Sequence, residues 1–432
     1  MRYKIFNYVC GAGALVATWG AQAARAQDVS ASPTAGSQFD RQRTLAVNQR
    51  AQVGYEEVGL RSDGFAIYPR LKAQIAYDDN VRAFQEGGDG DFGFALEPSI
   101  RAVSEWSRHQ LGVSASASAT RFAKLKTENT ETFAVQGEGR YDAGDEIRLY
   151  GYVGYRRDVE RRSAPGALRN SLRPIAFKTA TAGTQLTWQG NRLRLAATGE
   201  VSQLNYDEVR TSQGVRLDPR ELDRKRYQAG LRADYAITAD LALLVSARVS
   251  KIDYNPPVNT ITPDRTARKA EVLAGISFEF TDLLRGEVAV GYINQNFESS
   301  GIRDFSGFGG RAQIEYFPTR LTTVVFDASR TLQDAGNPLA PSYRRTRVGL
   351  RVDHELYRYV VVSAFADYES NRFQLPSRTE RRPHIGLSGQ YLANRHVTLF
   401  TRFDHLRVTT RPAGIGRRLT DNVISVGVLL KP

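Results

Sequence analysis

The chain has 432 residues, a formal net charge of +13 and a mean hydropathy of −0.41. Beyond the N-terminal leader no run of about twenty apolar residues occurs, which excludes transmembrane helices but not transmembrane strands, where only alternate residues meet lipid. The single cysteine, Cys10, lies in that leader, so the rest of the chain must hold together by backbone pairing and packing rather than by disulfides.

Arg2 and Lys4, the apolar stretch Val9–Trp19 and the small-residue site Ala24-Arg25-Ala26 read as a secretory signal peptide over residues 1–26. Residues 27–64 are polar and weakly periodic. They are expected to form a periplasmic N-terminal extension or a plug, with linker at Ser32–Ser37 and a short helix within Phe39–Val58. Residues 65–432 show no composition break and read as one unit.

That unit is a succession of predicted strands. They cover Phe65–Tyr77, Asp91–Val103, Gln110–Phe122, Thr132–Tyr141, Glu146–Arg156 and Ile175–Trp188. Next come Arg192–Tyr206, Arg226–Tyr235, Leu241–Tyr254, Thr266–Phe280, Arg285–Phe297 and Ser306–Phe317. The last six are Leu321–Thr331, Tyr343–His354, Arg358–Asn371, Arg381–Leu392, His396–Val408 and Leu419–Leu430. The joins alternate. Tight turns such as Asp142–Asp145 and Trp188–Asn191 follow even-numbered strands. Longer joins rich in Arg, Asp, Pro and Gly follow odd-numbered ones. About eighteen strands, with sixteen as the alternative, and two classes of connection predict an all-β, antiparallel up-and-down transmembrane barrel with short periplasmic turns and long extracellular loops. Both termini then fall on the short-turn side.

Within the strands, side chains alternate. Val348, Leu350 and Val352 share one face; Arg345, Arg347, Gly349, Arg351 and Asp353 share the other. Extending this sorting gives twelve candidates for a polar lumen: Arg148, Arg194, Arg232, Asp234, Glu271, Glu279, Arg345, Arg347, Arg351, Asp353, Arg402 and Asp404. Opposed charges there can set up a transverse field for solutes or pair with one another and hold the wall in shape. Only nine of the 59 basic residues are lysine, which fits an anion-handling surface or a codon bias toward arginine. Aromatic residues near strand ends, among them Tyr68, Tyr77, Trp106, Tyr141, Trp188, Tyr206, Tyr235, Tyr254, Tyr316, Phe317 and Tyr391, are expected to form interfacial girdles.

No nucleophile elbow, phosphate loop or zinc-protease motif occurs. Asp353-His354 and Asp404-His405 are neighbours on strands, so their side chains point to opposite faces and form no dyad. No enzyme, cofactor or metal is expected, and Asp78-Asp79-Asn80 reads as turn-stabilising rather than cation-binding. No nucleic-acid module is present.

Phe65-Ala-Ile-Tyr68-Pro69-Arg-Leu followed by Tyr77-Asp78-Asp79-Asn80-Val81 resembles the opening of the putative beta-barrel porin type 2 family. The resemblance implies a Gram-negative outer-membrane barrel with Tyr68, Pro69, Asp78, Asp79 and Asn80 as motif positions. It further implies an exopolysaccharide export role, with the polymer and periplasmic export proteins as partners alongside outer-membrane lipid, lipopolysaccharide and the barrel-assembly machinery. The competing expectations are a general or solute-specific uptake porin and a secreted soluble β-protein that binds carbohydrate.

Overall fold

The computed structural model describes residues 45–432 except 86–87, 166, 168–170, 212, 215, 218, 257–263, 338–339, 414–415 and 417. The signal peptide and the Ser32–Ser37 linker lie outside the described residues.

Eighteen antiparallel strands form the wall. They are β1 (Phe65–Asp78), β2 (Asp91–Ser104), β3 (Gln110–Phe122), β4 (Thr130–Ala143), β5 (Ile147–Val159) and β6 (Ala176–Gln189). Then follow β7 (Leu193–Tyr206), β8 (Arg224–Ala236), β9 (Leu241–Tyr254), β10 (Ala267–Phe280), β11 (Leu284–Phe297) and β12 (Phe305–Thr319). The last are β13 (Thr322–Asn337), β14 (Ala340–Tyr357), β15 (Val360–Phe373), β16 (Arg378–Leu392), β17 (Val397–Arg411) and β18 (Arg418–Leu430). Each pairs with its sequence neighbours, and β1 pairs with β18 from Leu71↔Leu430 to Asp78↔Val423. The sheet therefore has no free edge, as a spanning sheet requires where no water can satisfy exposed backbone groups.

The period-two pattern sets the two faces. Leu231 (66% exposed), Val153 (62%), Leu387 (60%) and Val249 (57%) look outward, while their sequence neighbours Arg232, Tyr152, Gly386 and Arg248 look inward. Apolar side chains on the outside of a closed sheet have lipid as their natural solvent. Trp106, Tyr141, Trp188, Tyr235, Tyr316 and Tyr391 stand outward near the short-turn rim and form the expected girdle there. Tyr206, Tyr254 and Phe317 do not join it. They are at least nine-tenths buried and turn inward, because their parity along the strand is that of the lumen face.

The predicted strands fall in place, but two features differ. The join after β13 was expected to be long. Instead Leu332, Gln333 and Asp334 continue the ladder opposite Arg344, Tyr343 and Ser342, so both strands project beyond their neighbours. Leu332 is held by burial against Ile293 and Phe305. Ahead of the barrel, Leu60–Ser62 folds back on Phe65–Ile67 about Asp63-Gly64. Both turn residues have positive φ (48° and 78°), the conformation that favours an Asp-Gly hairpin. Residues 45–58 contain turns but no helix.

Candidate channel lumen

All twelve predicted lumen residues lie on the inward face, and most meet a partner of opposite charge. Arg232 reaches Asp234 at 2.7 Å and Glu287 at 2.8 Å, and Arg194 approaches Asp234 at 3.9 Å. Arg351 holds Asp353 at 2.8 Å, Arg402 holds Asp404 at 2.5 Å, Arg347 holds Asp367 at 2.7 Å and Arg148 holds Asp142 at 2.9 Å. Glu271 lies 3.8 Å from Arg248. Glu279 and Arg345 are buried in the wall.

A recurrent device accounts for much of this network. On a strand, residues two apart share a face, and an arginine is long enough to bend back along it. Arg140-Tyr-Asp142, Arg232-Ala-Asp234, Arg351-Val-Asp353, Arg402-Phe-Asp404 and Arg378-Thr-Glu380 all close in this way, at 3.1, 2.7, 2.8, 2.5 and 3.2 Å. His384 adds a contact to Asp404 at 3.0 Å from the neighbouring strand. That pairing is cross-strand, unlike the sequence neighbours Asp404-His405. Two tyrosines, Tyr150 and Tyr152, project inward and donate to Glu138 (2.8 Å) and to Glu200.

The long-loop mouth carries contacts that tie its loops to one another and to separated strands. Glu128, buried in the 123–129 loop, accepts two hydrogen bonds from Arg162 (2.9 and 3.0 Å) and lies 3.6 Å from Arg82, so three consecutive long-side loops meet on one carboxylate. Arg161, in the 160–175 loop, sits among Asp158, Asp421, Asp404 and Asp78, which come from β5, β18, β17 and β1. Burial lowers its guanidinium to about 10, against the pull of those four carboxylates. On the other side, Arg226 of β8 meets Asp334 of the projecting β13 at 2.6 Å, and Lys269 of β10 donates to the Leu332 carbonyl at 2.7 Å. Under the loops Ile175, Phe177, Leu204, Tyr206 and Leu222 pack together, and Arg265 stacks 4.2 Å over Tyr254.

At the short-turn mouth the N-terminal segment lies against separated parts of the wall. The Val47 N–H donates to Thr323 Oγ1 (3.0 Å), Arg50 donates to the Arg320 carbonyl (2.6 Å) and pairs with Glu355, and Glu57 accepts from Arg70 of β1 (3.0 and 3.1 Å). Ala46 and Val47 are fully enclosed.

The motif positions have structural work. Tyr68 faces inward against Gly59, whose φ of +68° and close approach leave no room for a Cβ without moving the ring. Pro69 lies on the part of β1 that precedes its pairing with β18, where a missing N–H costs no ladder bond. Asp78 Oδ1 accepts from the Asn80 N–H (2.8 Å), Asn80 Nδ2 donates to the Thr420 carbonyl (2.8 Å), and Asp79 accepts from the Asn422 N–H (2.7 Å) and Nδ2 (2.6 Å). They clasp the seam between first and last strand. Asp78, Asp79 and Asp421 are the one trio of carboxylates among the described residues whose ligand atoms lie within 4.8 Å of one another.

Sequence reasoning missed Glu128, Arg162, Arg226 and Asp334. Arg226 carried a signal, since its parity is that of Arg232. The others lay in segments read as loops, and their partners are distant in sequence.

Among solved structures, the chain is similar to Acinetobacter baumannii OccAB2 (13% identity, covering 84% of this chain and 98% of that one, TM-score 0.46). It is also similar to Pseudomonas aeruginosa OccK3 (12%, 84% and 96%, 0.45) and to the copper transporter OprC (10%, 84% and 80%, 0.49). No curated protein matches. The family model described as Putative beta-barrel porin 2 matches residues 52–432, and the chain belongs to that family of porin-like outer-membrane β-barrels.

Proposed function

We propose that the protein is a channel of restricted bore that admits small hydrophilic solutes through the outer membrane. The observation that carries this reading is the set of contacts around the long-loop mouth, joining neighbouring loops at Glu128 with Arg82 and Arg162 and reaching from β8 to β13 at Arg226 with Asp334. A polymer threading outward would have to part every one of these contacts for as long as it is in transit. A small solute passes between them. The family match supports a porin and names no polymer, so polysaccharide export retains only the opening-motif resemblance behind it. On the channel reading residues 1–26 direct export and are removed, the long loops face outside, and residues 45–59 form a partial plug on the periplasmic side.

The inward arginines support weak rather than strong charge sorting, because most are neutralised by a carboxylate on the same face. Liposome swelling with solutes of graded size tests the proposal. Small sugars and amino acids should enter, with a sharp fall as size increases, and deletion of the protein should leave surface polysaccharide unchanged. Loss of surface polysaccharide on deletion, with no permeation of small solutes, would restore the export reading.

A further inference from the structure

The lumen is largely charge-paired, which raises the question of where unpaired basic residues lie. Several stand on the outside of the barrel. Along β13 to β16, two rows of directly opposed residues run just beyond the outward aromatic Tyr368, on the long-loop side. One row reads Arg330, Thr346, Ser370, Arg381; the next reads Leu332, Arg344, Arg372, Thr379. Apart from Leu332, which is buried against Ile293 and Phe305, every side chain in these rows is a cation or a hydroxyl.

Arg344 and Arg372 are opposite each other across the strand pair, and Arg330 acts on Arg344 from the adjacent row. Like charges so placed repel. No carboxylate pairs with Arg330, Arg344, Arg372 or Arg381 among the described residues. On the earlier strands most cations of the same outer face are paired, Lys225 and Arg268 aside. There Arg121 pairs with Glu131, Arg157 (3.5 Å) and Lys178 (2.8 Å) share Asp207, and Lys251 holds Asp253 at 2.7 Å. The contrast is between neighbouring regions of one face at similar depth.

Aromatic rings mark headgroup depth, and cations one step beyond them stand level with lipid phosphates. Arginine forks suit phosphate oxygens, and the hydroxyls of Thr346 and Ser370 add donors between them. The patch lies on the long-loop side; the large outward strand residues near the short-turn rim are aromatic, such as Tyr141, Trp188 and Tyr235, or aliphatic, such as Leu111 and Ile147. We infer that the outer face of β13–β16 is a binding site for a phosphorylated glycolipid of the outer leaflet, of lipid A type, whose phosphates sit between Arg330, Arg344, Arg372 and Arg381.

The test is native mass spectrometry of the purified full-length protein in detergent, titrated with bis-phosphorylated lipid A, dephosphorylated lipid A or phosphatidylglycerol. Bis-phosphorylated lipid A should stay bound, and the other two should bind about tenfold more weakly or less. Arg344→Ala with Arg372→Ala should lower occupancy about tenfold, Arg344→Lys with Arg372→Lys should retain part of it, and Arg157→Ala should leave it unchanged. Heat-modifiable migration on gels reports that each variant is folded. Equal retention of dephosphorylated lipid A, or unchanged binding in a folded Arg344→Ala/Arg372→Ala protein, would overturn the site. Equal binding of phosphatidylglycerol would overturn the glycolipid assignment.

Discussion

Asp234 accepts from Arg232, lies near Arg194, and is almost wholly buried in the wall together with Arg194. Removing it leaves the buried Arg194 guanidinium without its carboxylate and Arg232 with Glu287 alone. Asp234→Ala should therefore cost about 3–5 kcal/mol, the scale for breaking a buried ion pair. Asp367→Ala removes a pair whose arginine, Arg347, is 46% exposed, and should cost about 1 kcal/mol or less. Urea unfolding in lipid vesicles measures both, and equal losses would show that burial does not rank these pairs. The lumen residues were legible one by one from strand parity. Their pairing was legible too, in the Arg-x-Asp spacing of Arg232-Ala-Asp234 and Arg351-Val-Asp353, although the spacing only speaks once the strand is assigned. Tyr206 and Tyr254 were misread because closeness to a strand end says nothing about face; parity does.

At the level of elements, the alternation that defined the strands is a local property and survived folding nearly intact. What local pattern could not supply was the extension of β13. Gln333-Asp334-Ala335-Gly336-Asn337 has loop composition, yet it stays in the ladder because Leu332 is buried beneath it and Asp334 finds Arg226, more than a hundred residues away. The Asp63-Gly64 hairpin carried a direct turn signal and is a missed element with a short-range cause. The N-terminal segment depends in the same way on distant partners, chiefly Arg50 with Glu355 and Arg320. Arg50→Ala should loosen it, seen as faster chymotrypsin cleavage after Tyr55 with the heat-modifiable migration of the barrel unchanged. An unaltered cleavage rate would show that this anchor does not hold the segment.

For the whole molecule, closure solves two problems at once. It removes sheet edges that lipid could not satisfy, and it brings the first long loop against the last strand, where Asp79 and Asn80 fasten the seam. The basic excess is then divided by face: mostly paired inside, unpaired on one outer sector. Both mouths carry contacts between separated elements, so the width of an eighteen-strand wall overstates the usable bore. The measurement that tests this most directly is the unitary conductance of the full-length protein in planar bilayers, beside the Glu128→Ala/Asp334→Ala variant checked for heat-modifiable migration. A restricted conductance in the native protein that rises several-fold in the variant is the expected result. A large conductance that is the same in both would contradict the bridged mouth, and with it the restricted channel.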